Sequence, residues 1–310
     1  MQAVYEQLLI LVSTPLYIII IGLELLLSNY GHKKAYTWKD TTANVYLMVL
    51  NACLDLFVRS AYLFVLTYFF HYQVFSFNNV IVYWIMLLVF EDFLYYWLHR
   101  FDHEVRLFWA VHVTHHSSQQ LNFSVGFRSS VFQPLYRFVY FIPLAVAGFK
   151  PVDIVLMYSA TQIWGILVHT ELISKMGWLE YVFVTPSHHR VHHASNPKYL
   201  DMNLGMFLII WDKLFGTFQP ELPPEEYQPL KYGLTKPIGK ETPFSIVFHE
   251  WSSLRKDLLR ADISLKERLF YVFGPPGWSH DGSRKTSKEL RHMEDGEPET
   301  LTATKSQVVL

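Results

Sequence analysis

The chain has 310 residues and a formal net charge of −1, with 51% hydrophobic, 17% aromatic and only 17% charged residues. The balanced charge gives no reason to expect nucleic acid as a partner, and so little charge beside so much apolar surface fits a membrane protein better than a soluble one. Cys53 is the only cysteine, so an internal disulfide and a thiolate metal cluster are both excluded.

A helix that crosses a bilayer takes about 20 predominantly apolar residues. Residues 7–28 qualify, interrupted by Pro15 and Glu24. The residues before them lack the basic stretch a cleavable signal needs, so this segment reads as a retained span. Residues 43–70 form a second stretch, broken by Asp55 and Arg59, whose i, i+4 spacing lets them pair on one face. Residues 79–98 form a third, with Glu91, Asp92, Tyr95, Tyr96 and Trp97 in its last part. The stretches 131–148 and 152–170 are expected as a hairpin of two further helices turning at Gly148 to Pro151. The connection 29–42 carries Lys33, Lys34 and Lys39, whereas 71–78 carries no Lys or Arg, so the former is expected on the cytoplasmic side. Lys150, on the opposite turn, runs against that orientation.

Beyond the hairpin, the apolar run near Leu208 to Phe215 is too short to span. The Pro-rich residues 219–243 read as a loop. Residues 244–273 have helical periodicity, suited to a membrane surface or to an ordinary solvated helix. From Gly282 the chain is polar and disorder is expected. The expected fold class is all-α, an integral membrane helical bundle of about four to five spans with a cytoplasmic histidine-rich helical cap. The expected divisions are 1–77 (N-terminal spans), 78–218 (catalytic core), 219–275 (cytoplasmic segment) and 276–310 (disordered tail).

Ten of the fifteen histidines fall between His99 and His193. His99 and His103 are spaced i, i+4; His112, His115 and His116 are spaced i, i+3, i+4; His189, His192 and His193 repeat that pattern. On a helix each group points two or three imidazoles the same way, and packing has no reason to repeat H-x-x-H-H twice. Neutral imidazole is the commonest protein metal ligand, and one tetrahedral ion takes only four, so these eight can hold more than one ion. His169, closing the last span, is a further candidate. His188 falls outside the repeat and is a candidate ligand or support for one. Asp92, on the side of its helix that carries His99, is expected to hydrogen-bond an imidazole; Asp102 and Asn203 are weaker candidates for the same role. His32, His71, His249, His280 and His292 are isolated and read as surface residues.

The three histidine groups following paired spans resemble the fatty acid hydroxylase / sterol desaturase superfamily of membrane di-iron enzymes, over about residues 78–218. Within it, Asp92 to Glu104, His112 to Ser118, Thr185 to His193, Leu208 to Phe218 and Tyr232 to Ile238 are similar to the alkylglycerol monooxygenase branch. The resemblance implies two ferrous ions held by the eight boxed histidines, with His169 as a further ligand. It implies a catalytic role for Glu104, directly after the first box, and a tetrahydropterin or other external electron donor.

An all-nitrogen site suits redox iron. The expected function is O2-dependent hydroxylation or desaturation of a lipid C–H bond, with ether-lipid cleavage as one version and sterol or fatty-acyl chemistry as the alternative. The expected partners are a lipid, O2, an unidentified electron donor and a membrane. A zinc hydrolase would need a motif such as H-E-x-x-H, which does not occur. A metal carrier would spread its ligands through the spans, whereas these cluster on one side.

Overall fold

The structure is a computed structural model that describes residues 19–28, 35–239 and 241–296. Of the first expected span only residues 19–28 are described, and they are helical (α1, Ile19–Ser28); residues 7–18, and with them most of that expectation, lie outside the described residues.

Two helices are long and apolar enough to cross a membrane: α2 (Trp38–Phe70, 33 residues) and α3 (Val80–Glu104, 25 residues). At a rise of 1.5 Å per residue they extend about 50 and 37 Å, beyond the roughly 30 Å of a hydrocarbon core. Thr37 caps α2 by accepting from the Asp40 N–H, and Asn79 caps α3 by accepting from the Ile81 and Val82 N–H groups. Both turn large apolar side chains outward, with Phe57 84% and Phe64 72% exposed on α2 and Ile81 67% exposed on α3. Their inner faces meet α5 (Arg137–Val146) and α6 (Pro151–Leu167) in a core of Tyr62, Leu66, Leu87, Phe141, Leu144 and Ile154.

The expected hairpin at 131–170 is present but shorter. Helix α5 has 10 residues, about 15 Å, and α6 has 17, about 25 Å, so neither is a full-length span. Residues 128–136 are not α-helical because their backbone is committed elsewhere. The Arg128 carbonyl accepts from His115, the Ser130 carbonyl accepts from Asn51, and a 3₁₀ turn at Gln133–Leu135 contains Pro134. Gly148 makes the expected turn at φ +98°, where a Cβ would lie 2.2 Å from the Phe75 carbonyl oxygen. Asp55 and Arg59 do pair, at 2.9 Å, and Arg137 joins them.

Helix α4 (Arg106–His116) turns back from α3 at the extended residue Val105. Helices α7 (Pro186–His193) and α8 (Ile210–Phe215) follow, then α9 (Pro243–Leu258) and α10 (Leu265–Phe273). Arg106 ties α4 to α9 through Glu250 at 2.8 Å and Asp257 at 2.7 Å. The expected loop at 219–243 holds almost throughout. The expected disordered tail at 276–310 does not: residues 276–296 are placed and include α11 (Ser287–Glu294). Its start is fixed by a capping box in which Thr286 Oγ1 accepts from Glu289 N–H and the Glu289 carboxylate accepts from Thr286 N–H. Tyr227 donates to Glu294 and Arg291 to the Leu200 carbonyl, so the helix is docked on the body. Residues 297–310 lie outside the described residues. Among the described residues there are no strands, only isolated bridges at Phe183–Leu208 and Ala194–Tyr232.

Candidate metal centre

Four elements deliver the histidines. The last turns of α3 carry His99 and His103, α4 carries His112, His115 and His116, and α7 carries His189, His192 and His193. His169 follows the end of α6. Their donor atoms form two compact groups. His99, His103, His112, His116 and His192 make one; His115, His169, His189 and His193 make the other, and within each the atoms lie within 4.8 Å of one another. The H-x-x-H-H repeats therefore do not serve one face each. The i, i+4 pair of α4 enters the first group and its i+3 member the second, while α7 does the reverse. The groups adjoin, with the His116 and His193 rings 4.5 Å apart.

The hydrogen bonds fix which nitrogen is free. Nδ1 donates to a backbone carbonyl in His99 (Leu204, 2.7 Å), His115 (Arg128, 3.0 Å), His169 (Gly165, 2.6 Å) and His192 (Met202, 3.1 Å). In His103 it donates to the Asp201 carboxylate at 3.1 Å. An imidazole that donates through Nδ1 and is neutral has only a lone pair at Nε2. Burial, the largest cause in each ring, lowers the pKa of His112, His116, His169, His189, His192 and His193, and takes His115 down to about 4, so these rings are neutral at physiological pH.

The consequence is a set of lone pairs turned on each other. The Nε2 atoms of His115 and His169 are 3.3 Å apart, and each ring has already spent its proton on a carbonyl. Nε2 of His103, His192 and His193 is buried with no hydrogen-bond partner. Leaving a buried polar atom unsatisfied costs about 1–3 kcal/mol. A cation in each group turns these repulsions into coordination, so the donor set fits two metal ions. Neither group contains a carboxylate or a thiolate, which favours a metal content with good imidazole affinity.

Several expected site residues lie elsewhere. Asp92 does not reach an imidazole; it accepts from the Phe207 and Leu208 N–H groups and Trp211 Nε1, because the 207–211 segment covers that side of α3. Glu104, the last residue of α3, is exposed, pairs with Arg100 at 2.9 Å and belongs to neither group. His188 is in neither group; its Nδ1 accepts from the Thr185 N–H at 3.3 Å and so caps α7. Asn203 donates to the His188 and Gln219 carbonyls, bracing the loop whose Met202 and Leu204 carbonyls orient His192 and His99. Asp102 is buried, accepts from Gln133 and Tyr136, and stands 3.7 Å from His112 Nδ1. Asp201 was not among the expected residues; it sits at φ +53°, and no sequence pattern announces it.

A cavity of about 370 Å³ runs from the histidines between α2, α5 and α6. His99, His112, His115, His169 and His189 form its end, and Tyr62, Leu66, Phe141 and Ile154 are among its apolar wall residues. Of the three aromatics at 95–97, only Tyr95 lines it; Tyr96 bonds Thr217 and Trp97 packs on Phe215.

Residues 84–217 match the model of the fatty acid hydroxylase family. The chain is 33% identical over 301 residues to alkylglycerol monooxygenase of Homo sapiens, which covers 96% of this chain and 66% of that protein. It is 37% identical over 195 residues to alkylglycerol monooxygenase of Xenopus tropicalis, covering 63% of this chain and 42% of the relative. It is 35% identical over 133 residues to ornithine lipid hydroxylase OlsE of Rhizobium tropici, 42% of this chain and 40% of the relative. The chain thus spans less than two thirds of the length of these relatives. No solved structure matches it.

Proposed function

Because the chain belongs to the fatty acid hydroxylase family, we propose that it is a membrane-bound di-iron oxygenase acting on a lipid C–H bond. The observation that carries this reading is the pair of buried imidazole groups with opposed lone pairs. His99, His103, His112, His116 and His192 would hold one ferrous ion, and His115, His169, His189 and His193 the other. Such a pair would supply the redox and Lewis-acid chemistry for O2-dependent oxidation of an unactivated C–H bond.

The chain's own part is positioning. Carbonyls of Leu204, Arg128, Gly165 and Met202, with the Asp201 carboxylate, hold the rings so that Nε2 points inward. The 370 Å³ cavity threads an acyl or alkyl chain from the membrane helices to the ions, so position along the cavity selects the carbon that reacts. The buried floor excludes bulk water from that carbon. Alkylglycerol ethers are the leading substrates, on the strength of the relatives' names. Hydroxylation beside the ether oxygen gives a hemiacetal, which collapses to an aldehyde and an alcohol. The ornithine lipid hydroxylase and a sterol desaturase of Gibberella zeae among the relatives favour a second reading, hydroxylation or desaturation of another membrane lipid such as a sterol or fatty-acyl chain. Zinc hydrolysis is disfavoured because no carboxylate stands in either group to act as base.

The proposed topology has four to five membrane segments, with α2 and α3 crossing fully and the α5–α6 hairpin entering from the side that holds the histidines. The basic connection at 29–42 supports placing that side in the cytoplasm. The catalytic core is proposed as residues 78–218, preceded by the spans of 1–77 and followed by a cytoplasmic segment that includes α11.

The test is a purified protein reconstituted anaerobically with iron and given O2, a tetrahydropterin and, in separate reactions, a 1-O-alkylglycerol, a sterol and a phospholipid. About two irons per chain and O2-dependent formation of a fatty aldehyde are expected. Tight zinc without iron, or no O2 uptake with any lipid, would overturn the reading.

A further inference from the structure

The cavity that ends at the histidines is not apolar along its length. Helix α2 runs beside it, and four of its cavity-lining residues follow in the order Asn51, Asp55, Tyr62, Leu66. Asn51 marks the histidine end. It donates to the Ser130 carbonyl at 2.9 Å, and the Ser130 hydroxyl lies 3.1 Å from His112 Nδ1. Tyr62 and Leu66 belong to the apolar core shared with α3, α5 and α6. Asp55 stands between these levels, about 6 Å along the helix from Asn51.

At that middle level the wall is charged. Asp55 is the one acid that lines the cavity among the described residues, and its two oxygens are divided between two guanidinium groups. Oδ2 accepts from Arg59 at 2.9 Å, and Oδ1 accepts from Arg137, the first residue of α5. Arg59 makes further contacts of its own, so Arg137 is the cation of interest. Arg137 also donates to the Tyr158 hydroxyl at 3.2 Å and lies over the Tyr158 ring at 4.6 Å. A guanidinium carries five N–H donors in a rigid fork, and these two bonds use two of them. The Tyr158 ring is 6.2 Å from Tyr95, and the Tyr95 ring is 5.8 Å from His99. Two aromatic rings therefore separate the guanidinium from the first histidine group.

Resting on the oxygenase reading above, we propose that Arg137 is a specificity-determining residue that takes the anionic oxygens of the substrate's head group, a phosphate or a carboxylate on a single-chain lipid. Charges among membrane helices are costly and persist where they pair or meet a polar ligand. The planar fork engages two oxygens of one phosphate or carboxylate at once, with a charge that a neutral glycerol head does not return. The position of Arg137 also selects the carbon. It stands at the level of Asp55, about one helical turn from the histidine end, so the carbon that meets the histidines is a few bonds from the anion and not at the far end of the chain. The rest of the chain lies against Tyr62, Leu66 and Phe141.

Arg137→Gln tests this, since it removes the charge and the fork while Asp55 keeps Arg59. Binding is measured by equilibrium dialysis of zinc-loaded, redox-inert protein in detergent against three radiolabelled lipids of equal chain length: a 1-O-alkylglycerol, its 3-phosphate and a fatty acid. The wild type is expected to bind at least one of the anionic lipids roughly tenfold more tightly than the neutral one, and Arg137→Gln to bring that ratio close to one. A ratio taken on one sample does not depend on how much of it has folded. Preference for the 3-phosphate alone identifies a phosphate head, and preference for the fatty acid alone a carboxylate. Arg137→Lys keeps the charge without the fork and is expected to lower the ratio roughly threefold; it decides the matter if Arg137→Gln does not fold. No anion preference in the wild type, or a preference that neither substitution lowers, would overturn the proposal. Binding is read here without turnover, so it bears on Arg137 alone. The oxygenase reading fails separately, if iron-loaded protein reduced by dithionite and mixed with O2 oxidises none of the three lipids.

Discussion

A ring that has given its one proton to a carbonyl has nothing left to offer a neighbouring lone pair. That is the situation of His115 and His169, and it sets what single substitutions do. Asp201→Asn keeps the size of the side chain but removes the charge that would strengthen His103 as a ligand. Metal affinity is expected to fall roughly tenfold, read by competition with a chelator. His188→Ala and His189→Ala make a contrasting pair. The first loses a helix cap, so the melting temperature drops while metal content is retained; the second loses a donor atom of the second group, so metal content drops. Equal metal loss in both would contradict the division drawn here. At this scale the sequence was informative about donors and silent about their supports. Imidazoles repeat at visible spacings, but every residue carries a carbonyl, and only folding decides that those of Leu204 and Met202 are the ones that matter. Asp92 illustrates the limit: helical periodicity placed it on a buried side correctly, yet the 207–211 backbone, distant in sequence, took its oxygens.

At the level of elements, Asp92 becomes a joint between α3 and the segment leading into α8. Asp92→Asn replaces one acceptor oxygen by an N–H₂ facing existing donors, which is expected to cost about 1–3 kcal/mol of stability, measured by chemical denaturation in detergent, with the metal-binding spectrum of the surviving protein unchanged. Helix α11 is short, and its capping box carries much of its local definition. Thr286→Ala is expected to remove about 1 kcal/mol from it and to speed proteolysis between residues 282 and 296, leaving the helices before it protected. The long helices were legible from apolar length alone. The α5–α6 hairpin was legible as a hairpin but over-long, because Val131, Phe132 and Leu135 are apolar enough to join the expected 131–148 stretch while Pro134 sits in a 3₁₀ turn at Gln133–Leu135. At α11 the reverse holds: polar composition points to disorder, although Thr286-Ser287-Lys288-Glu289 spells a capping box.

For the molecule as a whole, the proposed metal centre would be a clasp joining the end of α3, the returning α4, the exit of α6 and the short α7. A ligand bound only by the folded state adds about 4 kcal/mol of stability at a thousandfold excess over its dissociation constant. Chelation is therefore expected to lower the melting temperature steeply, with the loss of protection in hydrogen exchange concentrated in α4 and α7. A shift confined to the membrane helices would argue against this. The overall class, helical and apolar with one polar pole, was readable from composition; the cavity was not, since its walls are assembled from stretches far apart in the chain. The crossing of the two H-x-x-H-H repeats, each sending its members to both ions, has one more outcome. On the two-ion reading, seating the first ion would fix α4 and α7 in the register the other requires, so uptake is expected to be all-or-nothing. A sample supplied with half its complement of iron should separate into saturated and empty molecules, with few carrying a single ion.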